Sequence, residues 1–161
     1  MINKTIQDAM NNQIQAELYS SYLYLSMAAF FESLNWGGFA HWMRRQSQEE
    51  VEHAMKFFAH INDRDGRVEL KAIEAPPFAF ESPVAVFTMA YEHEQKVTGL
   101  IHDLYKLATE QKDYPALSML RWFVDEQVEE EKNTQAVVDK LDKIGESKMG
   151  YFMLDHELGQ R

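Results

Sequence analysis

Helix-breaking residues are scarce in this 161-residue chain and fall in only a few places: there are seven Gly and four Pro. Asn35-Trp36-Gly37-Gly38 is one break, and the stretch from Asp65 to Ser82, with Gly66 and Pro76-Pro77, is another. Ser82-Pro83 reads as an N-cap followed by proline at the first helical position. Asp113-Tyr114-Pro115 repeats that signal, and Gly145 with Ser147 marks the last stop and start. Between the breaks lie four segments of about 30 residues with apolar positions at three- and four-residue steps, then a short one over 147–158. The pattern predicts an all-α fold.

Connection lengths limit how such helices can be arranged. The first and third breaks are short, which makes the helices on either side antiparallel neighbours. The 65–82 connection can reach roughly 60 Å when extended, whereas a 28-residue helix is about 42 Å long. The connection can therefore run the length of a bundle and start the third helix at the same end as the second. The expectation is one domain over 1–161: a four-helix bundle over about 4–145 with one long crossover, and a short fifth helix over about 147–158.

Composition removes several classes of function. Cysteine is absent, so disulfides, thiolate zinc sites, iron–sulfur clusters and cysteine nucleophiles are excluded. Twenty-six acids against sixteen bases give a formal charge of −10, which argues against a nucleic-acid partner. Neither a signal-like apolar run after Met1 nor a stretch approaching the ~20 apolar residues of a membrane span is present. The expectation is a cytoplasmic protein with no membrane partner.

An internal repeat carries the chemistry. Glu17 is followed 33 residues later by Glu50, which opens Glu50-Val51-Glu52-His53, and Glu94 is followed 33 residues later by Gln127, which opens Gln127-Val128-Glu129-Glu130. The two halves are offset by 77 throughout: 17 to 94, 50 to 127 and 53 to 130. Each half thus has a lone acid on its first helix and a polar pair at i, i+3 on its second, and positions three apart share a face. Glu17 lies on the stripe of Met10, Ile14, Ser21 and Tyr24, and Glu50 and His53 lie with Met43, Ala54 and Phe57. Glu94 falls between Phe87, Tyr91 and Ile101, and Gln127 with Glu130 between Leu120, Phe123 and Val137. These stripes are core seams, so four carboxylates and one imidazole point into the bundle at similar depth. None of the four acids has Lys or Arg at i±3 or i±4, where a solvated helix places its ion-pair partner. Unpaired carboxylates in a low-dielectric core are costly unless protonated or bound to cations. Such a donor set suits iron or manganese rather than copper, with zinc a competitor.

At these residues the chain resembles the non-haem ferritins of bacteria and archaea. The likeness runs from Gln15-Ala16-Glu17-Leu18-Tyr19 through Gly38-Phe39-Ala40-His41-Trp42, Gln48-Glu49-Glu50, Tyr91-Glu92-His93-Glu94 and Trp122-Phe123-Val124-Asp125-Glu126-Gln127 to the tail Leu154-Asp155-His156-Glu157-Leu158-Gly159-Gln160-Arg161. The resemblance implies a ferritin-like bundle with a ferroxidase site in each subunit. Glu17 and His53 would bind a first iron, Glu50 would bridge, and Glu94 with Glu130 would bind a second. Gln127 would act beside the site, and Tyr24 as a hydrogen-bonding or electron-donating neighbour. Glu49, Glu126 and Glu129, sharing Glu130, would hold a third, weaker iron. Fe(II) would be oxidised by O2 or H2O2 and stored as Fe(III) mineral in a homo-oligomeric cage of 24 subunits.

Departures from symmetry narrow the resemblance. Many di-iron bundles carry Glu-x-x-His on both second helices, but the second copy here is Gln127-x-x-Glu130, so the second metal should bind more weakly. Residue 52, where bacterioferritins place a haem-ligating Met, is Glu52, and no haem is expected. Trp122, the nine Met, and His41, His60, His93, His102 and His156 read as packing or surface residues. Two other readings remain open: a di-iron oxidase or peroxidase that stores no iron, and a metal-free interaction bundle, which would leave the core acids without counter-charge.

Overall fold

The computed structural model describes residues 1–161. Four long helices, α1 (Lys4–Ser33), α2 (Gly37–Asp63), α3 (Pro83–Glu110) and α4 (Tyr114–Ile144), are followed by the short α5 (Lys148–Leu158), and there are no strands. The helix starts follow local chemistry. Ser82 accepts from Ala85 N ahead of Pro83, Asp113 accepts from Ala116 N, and Ser147 accepts from Gly150 N. The stops are less regular: Asn35, Asp65 and Lys112 take left-handed conformations just past α1, α2 and α3, and Gly145 does so past α4 at φ 56°.

Two antiparallel pairs, α1 with α2 and α3 with α4, form the bundle. The crossover between them climbs along α1. Arg67 N donates to Gln7 Oε1 at 2.9 Å, Glu69 N to Asn11 Oδ1 at 3.0 Å, and Ser26 Oγ to the Pro77 carbonyl at 2.6 Å. Phe80 then packs on Phe30, with ring centroids 5.3 Å apart. The side chains of α1 thus satisfy backbone groups that a long connection would otherwise leave unpaired. This route carries the chain back to the end at which α2 starts, as the connection length predicts. The bundle is therefore of the type with one long crossover.

The apolar core is divided in two. One cluster, including Tyr24, Phe31, Phe39, Met43, Phe87 and Leu141, fills the end near α5. The other, including Ile6, Met10, Phe57, Ile61, Ile101 and Leu120, fills the opposite end. Between them lies a buried polar layer containing Glu17, Glu50, His53, Glu94, Gln127 and Glu130. The two halves of the repeat meet in this layer.

A candidate metal centre in the bundle

One polar residue set comes from each long helix: Glu17 from α1, Glu50 and His53 from α2, Glu94 from α3, Gln127 and Glu130 from α4. All six are at most 4% exposed. Glu17, Glu50 and His53 each present a ligand atom within 4.8 Å of the others. His53, Glu126 and Glu130 form a second such trio, so the imidazole is common to both.

The hydrogen bonds are too few for so many carboxylates. Gln13 Nε2 donates to Glu17 Oε1 at 2.9 Å, but Glu17 Oε2 is buried with no partner at all. Glu50 Oε2 lies 3.2 Å from His53 Nδ1. Tyr24 donates its hydroxyl to Glu94 Oε1, and Gln127 Nε2 donates to Glu94 Oε2 at 3.1 Å. Gln46, fully buried on α2, donates to Glu130 Oε2 at 2.6 Å and to Glu50 Oε1 at 3.3 Å.

The electrostatics follow from burial. Loss of water pushes the Glu17 and Glu50 carboxyls well above the usual range, and neighbouring acids push them further: Glu50 acts on Glu17, and Glu94 with Glu130 act on Glu50. Burial raises Glu94 to about 7 despite the hydrogen bonds from Tyr24 and Gln127 that favour its anion. Burial, reinforced by Glu94, likewise raises Glu130 to about 7. The Tyr24 hydroxyl is also driven well up, by burial and then by Glu94. An acidic cluster of this kind, with an orphaned carboxylate oxygen, takes up cationic charge as protons or as metal. Oxygen donors with one imidazole fit a divalent ion of the iron or manganese type.

Glu49, Glu126 and Glu129 do not converge in the same way. Glu126 reaches inward, with Oε1 3.8 Å from His53 Nε2, and burial raises its carboxyl. Glu129 is exposed. Glu49 Oε2 accepts from Arg161 at 2.6 Å, while its Oε1 lies 3.8 Å from Arg45. Trp122 stands edge-on to His53, with centroids 5.4 Å apart, and Lys56 lies over its ring. His93 is mostly buried, 2.7 Å from Ser20 Oγ, and desolvation holds it down to about 4.

Sequence reasoning passed over Gln13, Gln46 and Arg161. The two glutamines carried a readable signal, since each precedes a buried Glu by four residues on the same helical face. Arg161 carried none, because its partners lie 112 and 115 positions away.

Comparison with known proteins gives the family of the fold. Residues 7–144 match the ferritin-like domain family. A bacterial non-heme ferritin of Bacteroides fragilis is 43% identical over all 161 residues, with both chains covered completely. One from Staphylococcus aureus is 35% identical, covering 100% of this chain and 97% of its own. Among solved structures, an open-pore ferritin from the archaeon Archaeoglobus fulgidus superposes with a TM-score of 0.99 at 48% identity, covering 100% of this chain and 99% of the other. The chain belongs to the ferritin family.

Proposed function

We infer that this chain is the subunit of an iron store that oxidises what it takes in. Fe(II) is the substrate, bound at the buried layer, and the Fe(III) product passes to a mineral held inside a hollow shell of 24 copies. The observation that carries this reading is the set of four buried carboxylates around one imidazole, with Glu17 Oε2 lacking any partner. Glu17 and His53 are assigned to a first ion, Glu94 and Glu130 to a second, and Glu50 to both. Two Fe(II) held side by side supply the electron pair that reduces one O2 to H2O2, or one H2O2 to water, with two protons consumed in either case. The carboxylates that bind Fe(II) give up protons, and Glu94 and Glu130, poised near 7, lie closest to where such exchange occurs at neutral pH.

Glu126, with Glu129 and Glu49, is assigned to a third, weaker ion at the edge of the centre. Tyr24 supplies a hydroxyl to the second ion's carboxylate, and Gln127 a side-chain amide. The whole chain acts as one unit, with α5 packed on the bundle through Leu154 and Leu158. Resemblance to the non-heme ferritins supports the cage and the absence of haem. No helix is long and apolar enough to cross a membrane, and a cytoplasmic location is part of the same reading.

The test is anaerobic Fe(II) titration followed by admission of air, on the native chain and on Glu50→Ala. Native protein should bind two Fe(II) tightly per subunit, oxidise them, and keep mineral after loading with many irons per shell. Glu50→Ala should lose paired binding and most of the fast oxidation. Native rates in the variant would sink the site assignment, and oxidation without retained mineral would favour a non-storing oxidase.

A further inference from the structure

Arg161 lies past α5, yet its side chain reaches the edge of the metal layer. One guanidinium nitrogen donates to Gln46 Oε1 at 2.9 Å and the other to Glu49 Oε2 at 2.6 Å. The same group stacks over Trp42, 4.5 Å from the ring centroid, and the Arg161 carbonyl lies 2.9 Å from His41 Nε2. Accepting from Arg161 leaves Gln46 only one orientation, with its amide nitrogen turned to Glu50 and Glu130. A single cation therefore bears on three carboxylates: Glu49 directly, and Glu50 and Glu130 through one amide.

We propose that Arg161 is a built-in competitor of the metal ion: its guanidinium occupies Glu49 and sets how weakly the outermost cation binds, and it swings away when that cation arrives. Rest and release are both built into the surroundings. The ion pair is only partly exposed, at 23% for Arg161 and 28% for Glu49, and so keeps some of its strength against solvent. Next to it is an open cleft of about 430 Å³, bordered by Trp42, Asn133, Lys140, Glu157 and Leu158, into which the side chain can turn. The backbone at 161 can stay on His41 while the guanidinium leaves. A divalent ion drawn by Glu126 and Glu130 must compete with Arg161 for Glu49, whose Oε2 already accepts from the guanidinium.

This inference rests on the assignment of the buried layer as an Fe(II) centre, and one experiment separates the two. The intact assembled protein is titrated anaerobically with Fe(II) by calorimetry as the native chain, Arg161→Gln, Arg161→Lys and Arg67→Gln. Arg67 is an exposed arginine on the crossover, and its loss makes the same change in net charge elsewhere. Arg161→Gln should tighten the weakest class of site by about two- to tenfold, the weight of a partly exposed charged contact, and move the tighter pair less, because it meets Glu50 and Glu130 only through the Gln46 amide. Arg161→Lys, which keeps the charge but not the two-pronged, stacked contact, should fall between native and Arg161→Gln, and Arg67→Gln should change nothing. The proposal is overturned if Arg161→Gln leaves the weakest site unchanged or weaker, if it moves the tighter pair as much as the weakest site, if Arg67→Gln tightens the weakest site equally, or if no third class of site appears in either the native chain or Arg161→Gln. Absence of the tighter pair from the native chain would instead bring down the assignment of the centre itself.

Discussion

Gln127 donates its side-chain amide to Glu94 Oε2 at 3.1 Å and to the Glu94 carbonyl at 3.3 Å, joining α4 to α3 at the one place in the second half of the repeat where an acid is replaced by an amide. The first half has Glu50 at the corresponding position. The substitution has a physical consequence: a donor stands where a fifth core carboxylate would otherwise add to the repulsion among Glu50, Glu94 and Glu130. The asymmetry lowers the cost of the metal-free fold and, on the proposed reading, offers the second ion one carboxylate fewer than a symmetric repeat would.

Gln127→Glu should therefore move stability and affinity in opposite directions. Without metal, Glu94 loses a donor and gains a like-charged neighbour, a loss of about 2–4 kcal/mol. In a chain of this size that lowers the unfolding midpoint by roughly 4–16 °C. With redox-inert Mn(II), the second ion should bind more tightly than in the native chain. Scanning calorimetry with and without Mn(II) checks both halves, and a metal-free variant as stable as the native protein would contradict the role given to the amide.

The raised carboxyls set a pH dependence of unusual sign. Glu94 and Glu130 ionise near 7 in the fold, against an ordinary value of 4.5, so between those values the folded chain holds more protons than the unfolded one. Their contribution is complete below 4.5 and is lost as pH rises through about 7, and Glu17 and Glu50 shift in the same direction. The metal-free protein should therefore weaken from about pH 5 to about pH 8, by an amount on the order of a few kcal/mol. Bound Mn(II) displaces those protons and reverses the slope, because the ion binds only the ionised groups. Denaturant titrations at the two pH values, with and without Mn(II), read the slopes directly. A metal-free chain that gains stability toward pH 8 would contradict this account of the layer.

Sequence and structure agree most closely where the physics is local or periodic. Ser82, Asp113 and Ser147 cap the helices they precede because capping needs only the next three residues. The depth of the polar layer was readable from the 33- and 77-residue offsets, since equal spacing along similar helices brings side chains to equal height. The crossover direction followed from length alone. What stayed hidden depends on partners from distant elements. Gln46 looks like any polar helix residue until Glu130 of α4 is set opposite it. Glu49 could be numbered among prospective ligands, but nothing near it in sequence shows that Arg161 already holds it. The start of α2 is a third such case: Trp36 makes no side-chain cap of its own.

The missing cap comes from α5. Asp155 Oδ1 accepts from Gly38 N at 2.8 Å and from Phe39 N at 3.0 Å, so a carboxylate 117 positions downstream satisfies the first amides of α2 and faces the positive end of its dipole. The helices lie so close there that a Cβ on Gly38 would come 1.6 Å from the Asp155 carbonyl oxygen. Asp155→Ala should cost about 1–2 kcal/mol, the usual weight of a lost N-cap, and loosen α5. Gly38→Ala should loosen it further by steric displacement, while Asp155→Asn, which keeps an acceptor, should stay close to native. Because Gly145 turns the chain with a positive φ in an already exposed connection to α5, loosening should make residues 145–147 mobile enough for protease to cut and leave the 4–144 bundle helical by circular dichroism. A second effect separates this from general destabilisation: α5 also carries the chain to Arg161, so Asp155→Ala should tighten the weakest Fe(II) site in the same direction as Arg161→Gln. If α5 is cut free while that site keeps its native affinity, the link from the α2 cap to the metal layer does not exist.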